Sequence, residues 1–420
     1  MKLSADRLTA AHLLLRVERG AFSSRVLTGE TPTAARVRVL EVLRWLRALD
    51  AVLQPLCRRP LAHLDPEVRV VLRLGLAETM RLGVPPALAT DASVRLVRRL
   101  GCSSASGMVN AVLRKAVQQW PGTVERSSVD VALSHPGWIY DRWLGNFGED
   151  EAATSMASAQ ERAATWVWFL DESARDRLVG EGVVLSNHPW CPGAWSAPDA
   201  PGKLVQEVIA GTAYAQDPSS QLVARTALGL AGDGGSFVDL CAAPGGKTAL
   251  LMQLGSWRSA VAADLHPTRA RLVRRLLRHA DEVSVVVADA TCPPFEPGAW
   301  DLVLLDAPCT GTGTFRRHPE LKWKLQPSSV SEMAALQRRL LQPALDLVAP
   351  GGVLMYATCS VEPEENEGVV AELARGFEVV DLATVIPKSA PWRQTAAGGA
   401  RILPNPDGDG FTMHAIRRVE

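Results

Sequence analysis

Two cysteines follow apolar runs of strand character. Cys309 stands in Asp306-Ala307-Pro308-Cys309-Thr310-Gly311-Thr312-Gly313, after DLVLL, and Cys359 stands in Met355-Tyr356-Ala357-Thr358-Cys359-Ser360, after GGVLMY. A single thiol is ordinarily a small buried hydrophobe. Cys57, Cys102, Cys191 and Cys292 have no comparable setting and are read as core or surface thiols. Two thiols at neighbouring strand ends, beside a nucleotide-type loop, suit alkylation of a pyrimidine carbon. C5 of cytosine is a poor nucleophile. A thiolate adding at C6 makes C5 enamine-like, so that it attacks an electrophilic methyl; loss of the C5 proton and expulsion of the sulfur restore the ring. A free thiol, with a pKa of ~8.5, is only slightly ionised at neutral pH yet strongly nucleophilic. Asp306 is placed to contact the N3/N4 edge of the base, and a second cysteine would assist the elimination.

The nucleotide-type loop lies in Phe237–Thr248, FVDLCAAPGGKT. Phe237, Val238 and Leu240 form a short apolar strand. Ala242, Ala243, Pro244, Gly245 and Gly246 break it, and TALLMQLG resumes with helical character. A loop of small residues between strand and helix lets backbone approach a ligand closely. It is neither the three-glycine dinucleotide fingerprint nor a P-loop, since Gly245-Gly246-Lys247-Thr248 lacks the earlier glycine. Acids then recur at strand ends. Asp264 closes SAVAADL, 25 residues after Asp239, about the separation at which an acid reaches a ribose diol. Asp289 closes VSVVVAD and Asp306 closes DLVLLD. In open parallel sheets, ligands sit beyond the carboxyl ends of the strands.

The elements that must position these residues follow from the rest of the chain. At 420 residues, two or three domains are expected, and 47% hydrophobic residues supply ordinary cores. No apolar run reaches membrane-spanning length. The charged N-terminus argues for an amphipathic helix over a signal peptide, and seven cysteines without an export signal suit a reducing cytoplasm. Helical periodicity covers Ser4–Glu18 and Ala35–Leu53. Asp65 and Pro66 open a helix through Leu82, ended by Pro85-Pro86, and two more helices cover Asp91–Arg99 and Ser103–Gln119. Residues 1–120 carry 19 Lys and Arg against 9 Asp and Glu, and the remainder cancels the surplus. Such a basic helical region suggests a phosphate-rich partner, or a solvated arginine surface.

His135 is read as a capping or turn residue ahead of a helix, and Trp138, Trp143 and Phe147 as its core face. Strands are expected within 163–170 and 183–198, and Asp217-Pro218 starts a helix leading into the Gly-rich strand. The Thr268–His279 helix pairs an apolar stripe (Leu272, Val273, Leu276, Leu277) with a wet arginine face that includes Arg269. Arg316, Arg317, His318, Lys322 and Trp323 are read either as a phosphate and stacking surface or as a solvated loop. Glu362, Glu364, Glu365 and Glu367 are read as first-turn acids of the next helix. His266 and His279 lack partners at metal-ligand spacing, so no metal is expected.

LDPEVRVVLRLGLAETM, the VPP turn and GMVNAVLRK resemble the NusB-like RNA-binding domain. DLCAAPGGKT, LLDAPCTGTGTFRRHPELKW and YATCSVEPEENE resemble the RNA cytosine-C5 methyltransferases of the Nol/Nop/Sun group. The two together resemble the layout of that group's bacterial small-subunit rRNA enzymes. The resemblance implies an α/β, Rossmann-like class I methyltransferase domain at 213–420 with a last, antiparallel strand near Thr412–Arg417. Ahead of it stand a NusB-like helical domain at 1–125 and a small α/β connector at 126–212. It implies that Cys241, Ala242, Ala243, Pro244, Gly245, Gly246, Lys247, Asp264, Asp289 and Asp306 bind S-adenosyl-L-methionine. It further implies that Cys359 is the nucleophile and that Cys309 promotes product release. The chain departs from the family's Arg-Val-Asn-type strand at Val167-Trp168-Phe169-Leu170, and reads Asp409-Gly410-Phe411-Thr412 for the DGFF-type motif. The expected partner is small-subunit rRNA, acted on in the cytoplasm by a monomer. A tRNA substrate, or a catalytically silent RNA-binding assembly factor, is the alternative.

Overall fold

The computed structural model describes residues 4–27, 29–280, 282–371, 373 and 375–419. The chain divides into two compact units, Met1–Glu161 with Phe315–Lys324, and Arg162–Thr314 with Leu325–Glu420.

The first unit is helical. Its longer helices are Ala5–Glu18, Thr33–Arg44, Leu46–Leu53, Pro66–Leu82, Pro86–Arg99, Ser106–Glu125, Gly137–Phe147 and Glu149–Ala159. Leu14, Val39, Leu49, Leu53, Leu72, Leu76, Leu96 and Val109 share one core. The apolar pattern over Ala35–Leu53 is two helices, because the chain turns at Trp45 (φ −103°, ψ 15°). Pro86 opens a helix, and the preceding one ends earlier, at Gly83 in the left-handed region. Trp143 is fully buried, and His135 is buried with Nδ1 2.7 Å from Leu133 O.

Phe315–Lys324 corrects the surface reading of that stretch. Lys322 is fully buried and Arg316 nearly so. Lys322 Nζ donates to Arg44 O at 3.0 Å, Ser134 O at 2.9 Å and Gln160 Oε1 at 3.1 Å, and Trp323 Nε1 donates to Leu43 O at 2.6 Å. Phe315 stacks on Trp143 with ring centroids 5.9 Å apart. The last carbonyls of a helix have no intrahelical donors; this segment supplies them to Thr33–Arg44.

The second unit carries two sheets. The smaller joins β1 (Val167–Phe169), β2 (Ser186–Asn187), β3 (Trp195–Ser196) and β4 (Ala213–Ala215), antiparallel in the order β2-β3-β1-β4. The larger contains β5 (Ser236–Asp239), β6 (Ser259–Asp264), β7 (Val283–Val287), β8 (Trp300–Asp306), β9 (Val348–Thr358), β10 (Phe377–Val380), β11 (Trp392–Gln394), β12 (Ala400–Ile402) and β13 (Phe411–Arg418). Its order is β11-β12-β13-β9-β8-β5-β6-β7, with β10 also on β13. β7, β6, β5, β8 and β9 are parallel, and β13 returns antiparallel to β9.

The central strands β5 and β8 are buried across their middles, which is why they read as unbroken apolar runs. Helices Gly246–Leu254, Pro267–Leu276 and Pro327–Leu347 make crossovers. In Pro267–Leu276 the inward positions are Ala270 and Val273, whereas Leu272 points to solvent, 47% exposed. The chain runs from β5 outward through β6 and β7, then starts again on the other side of β5 with β8. The sheet therefore reverses its winding between β5 and β8, where α/β sheets open a ligand crevice.

Candidate functional site

A cavity of about 470 Å³ opens at that reversal, within the range of about 300–1,000 Å³ usual for small-molecule sites. Its lining includes Cys241, Ala243, Asp264, Asp289, Asp306, Cys309 and Cys359. Seven of the residues singled out in the sequence thus share one cleft, though they come from the ends of five strands.

The loop after β5 is held tightly. Asp239, at its root, is buried and accepts from Thr248 Oγ1 at 2.6 Å and Cys241 N at 3.3 Å. Burial pushes its carboxyl up to about 7, with Thr248 opposing the rise. Ala242 N donates to Ala263 O at 2.8 Å, tying the loop to β6. Pro244 follows a cis peptide bond, and Gly245 (φ +112°) turns the chain into the helix. Gly246 has no room for a side chain, since a Cβ would lie 2.5 Å from the Tyr214 ring. Ala242, Pro244, Gly245 and Gly246 shape the loop and do not line the cavity. Lys247 does not line it either but pairs with a residue that does, its Nζ 2.7 Å from Asp306 Oδ2 and 4.9 Å from the centre of the Phe411 ring.

Asp264 is almost fully buried, and backbone aims it. His266 N donates to its Oδ1 at 3.0 Å and Ala243 N to its Oδ2 at 3.3 Å. Asp289 is exposed and accepts from Thr291 N and Oγ1 at 2.8 and 2.7 Å; these bonds hold its carboxyl below the ordinary value. The acids at the ends of β6 and just past β7, around a loop of small residues, fit the nucleoside part of S-adenosylmethionine.

At the other wall, Cys309 Sγ and Cys359 Sγ lie 3.4 Å apart. Their loops sit on adjacent strands, β8 and β9, so parallel register brings them to one level. The hydrogen bond with Cys359, then burial, then the nearby Cys359, Glu365 and Asp306 raise Cys309 well above an ordinary thiol. The rise favours the thiol form of Cys309, and either sulfur can donate across the pair. The Cys309 loop also meets the start of β13. Gly410 N donates to Gly313 O at 2.8 Å, and a Cβ on Gly313 would lie 2.2 Å from Gly410 O.

Sequence reasoning missed three contributors. Arg269 lines the cleft rather than facing only water, with Nη2 2.9 Å from Ala243 O and Nε 3.4 Å from Asp264. Its place in the first turn after β6 was the available signal. Glu365, grouped with helix-turn acids, and Gln337, on the Pro327–Leu347 helix, lie buried behind the cysteines. Among the described residues no group of three or more His, Cys, Asp or Glu is arranged to hold a metal, and no helix is long and apolar enough to cross a membrane.

A family model described as "16S rRNA methyltransferase RsmB/F" matches residues 227–417, and the NusB family model matches residues 4–118. The ribosomal RNA small subunit methyltransferase B of Thermus thermophilus is 35% identical over 435 residues, spanning 100% of this chain and 99% of its own. That of Pasteurella multocida is 30% identical over 99% of this chain and 97% of its own. Among solved structures, that of PH0851 has a TM-score of 0.76 at 22% identity over 99% of both chains. That of NSun6 from Pyrococcus horikoshii with SFG has a TM-score of 0.58 at 20% identity over 68% of this chain and 98% of its own. At these identities the two structures are likenesses of fold. Both halves of the sequence and the cleft between β5 and β8 converge on one assignment: the chain belongs to the RsmB/F family of S-adenosylmethionine-dependent 16S rRNA methyltransferases and carries a NusB-family domain at its N-terminal end.

Proposed function

We propose that the chain methylates C5 of a cytosine in small-subunit rRNA through a covalent adduct between Cys359 and C6. Bound S-adenosylmethionine supplies an electrophilic methyl group, with Asp264 and Asp289 holding its nucleoside part. Cys359, as thiolate, forms a bond to C6 and pushes electron density onto C5. Asp306, neutralised by Lys247, meets the N3/N4 edge and favours acceptance of the sulfur. C5 takes the methyl group and S-adenosylhomocysteine is left; the C5 proton passes to water in the cleft, and the C6–sulfur bond breaks to return the Cys359 thiolate, which the neighbouring Cys309 thiol assists by hydrogen bonding.

The observation that carries this reading is the 3.4 Å pair of sulfurs in the cleft that also holds Asp264 and Asp306. A methyltransferase acting on oxygen or nitrogen needs no thiol there. Cys309, raised well above an ordinary thiol, is poorly suited to open the attack. The basic surplus of residues 1–120 suits an RNA substrate.

The test is Cys359→Ala assayed with labelled methyl donor on 16S rRNA and on small ribosomal subunits. Activity should fall to background while donor binding persists; substantial residual transfer would remove Cys359 as nucleophile. Bisulfite mapping of rRNA and tRNA from a deletion strain should show one rRNA cytosine losing its mark. A lost tRNA mark instead would transfer the same chemistry to tRNA.

A further inference from the structure

One carboxylate of the acidic run after Cys359 faces inward. Glu365 is fully buried, and so are Ser360 and Gln337. Its Oε2 accepts from Thr310 N at 2.9 Å and Gln337 Nε2 at 3.0 Å. Its Oε1 accepts from Ser360 Oγ at 2.6 Å and from the Thr310 hydroxyl. Gln337 Nε2 also donates to Pro308 O at 2.8 Å. Both chain neighbours of Cys309, and the residue after Cys359, therefore converge on one acid and its glutamine. From the opposite side Gly313 N donates to Cys359 O at 3.0 Å.

A role as a helix-turn acid does not account for this. The helix that follows, Glu367–Val370, has four residues and little dipole to stabilise. A carboxylate in a dry interior is costly unless donors surround it. Burial raises Glu365 above an ordinary glutamate, and the Ser360, Thr310 and Gln337 bonds oppose the rise. A solvated glutamate on that turn would avoid the cost altogether. What the buried position supplies is a rigid link between two loops on different strands.

We propose that Glu365 is a positioning residue for the thiol pair: by accepting from the Cys309 loop and the Cys359 loop at once, it fixes the two sulfurs side by side at the cleft. This rests on the roles given above to Cys359 and Cys309. Neither sulfur bonds to Glu365; its charge also raises Cys309, and Glu365→Gln, which removes the charge and keeps the bonds, separates that effect from the geometric one. Misplacing a reacting group by about 1 Å costs about 100-fold in rate.

The experiment reads thiol juxtaposition without RNA. Diamide takes two protons and two electrons from paired thiols, leaving a disulfide, and peptide mass mapping reports the Cys309–Cys359 bond. In Glu365→Leu the rate of that bond should fall about tenfold or more. In Glu365→Gln the amide oxygen keeps the Thr310 N and Gln337 contacts and its NH2 meets the two hydroxyls, which turn to accept. That variant should stay within about threefold of wild type. Methyl transfer should follow, with kcat of Glu365→Leu down by about 100-fold and the KM for S-adenosylmethionine nearly unchanged. If Glu365→Leu does not fold, Thr310→Val with Ser360→Ala removes the hydroxyl donors of both loops and should slow disulfide formation severalfold. Wild-type pairing rates in Glu365→Leu, or in the double variant, would overturn the proposal. Activity surviving Cys359→Ala would instead sink the functional reading, and the thiol assay would still judge the clamp.

Discussion

At the scale of single residues the cleft divides its labour between two sulfurs that differ in surroundings. Cys309 is hemmed by Cys359, Glu365 and Asp306, all of which favour its protonated form. A thiol that holds its proton is poorly suited to open the attack and well placed beside an adduct that must break. Cys309→Ala should therefore allow methyl transfer to begin and then stall. Incubated with rRNA and S-adenosylmethionine, the variant should give a protein–RNA band that survives a denaturing gel. Normal turnover with no such band would mean that elimination proceeds without this residue. The residues of the cleft were legible to unequal degrees. Cys309, Cys359, Asp264, Asp289 and Asp306 each end a strongly apolar run, and that position is visible in a linear sequence. Glu365 and Gln337 are not visible in this way, because what matters about them is burial against loops 28 and 55 residues away. Arg269 looked like its arginine neighbours, and only the first-turn position set it apart.

At the scale of elements, the link between β5 and the Gly246–Leu254 helix depends on a buried acid. Asp239 receives Thr248 and Cys241 from the start of that helix and its loop, and burial lifts its carboxyl to about 7. A group whose pKa rises on folding binds its proton more tightly in the native state. Its contribution is fully present below the ordinary carboxylate pKa and is lost as pH climbs through about 7. Asp239→Asn keeps an acceptor for Cys241 N and an NH2 for the Thr248 hydroxyl, and does not titrate. The wild type should therefore lose stability relative to this variant between pH 5 and pH 8. Urea midpoints at the two pH values measure the difference, and parallel midpoints would mean the carboxyl is ionised throughout. The same unit shows why some elements could be read and others not. β6 and β8 are apolar runs bounded by turn residues, and each lies within two residues of its expected span; β13, half polar in sequence, is expected from the resemblance and lies within one residue of that span. The run over 163–170 shrank to three residues, Val167–Phe169. Its length is set by short antiparallel partners far along the chain, β3 and β4, which periodicity does not encode. The break at Trp45 inside a continuous helical pattern belongs to the same class, since both sides of the break remain apolar.

At the scale of the whole molecule, the helical unit is not a simple N-terminal block, because its compact body includes ten residues from beyond the Cys309 loop. Part of its basic surplus is also committed internally. Arg73 pairs with Glu18 and Asp50 at 2.6 Å each, Arg69 with Glu18 at 2.8 Å, and Arg38 with Glu78 at 2.7 Å. Those arginines are paired within the fold, which leaves fewer free cations for the RNA substrate proposed above. Within this unit Lys322 joins three places: the end of the Thr33–Arg44 helix, the turn at Ser134 and the residue after the Glu149–Ala159 helix. Burial, with Arg44 nearby, pushes it well below an ordinary lysine. Its three acceptors are what keep it there. Lys322→Met fits the same space but leaves Ser134 O and Gln160 Oε1 without that donor. Each buried unsatisfied acceptor costs about 1–3 kcal/mol, whereas removing the ammonium returns part of its desolvation cost, so a net loss on the order of 2 kcal/mol is expected. Thermal unfolding should show the helical unit melting earlier, with S-adenosylmethionine affinity within about twofold of wild type and RNA affinity reduced as that unit loosens. An unchanged melting profile would mean that the ten-residue insertion is held by Phe315 and Trp323 alone, and that the lysine is a passenger in its own pocket.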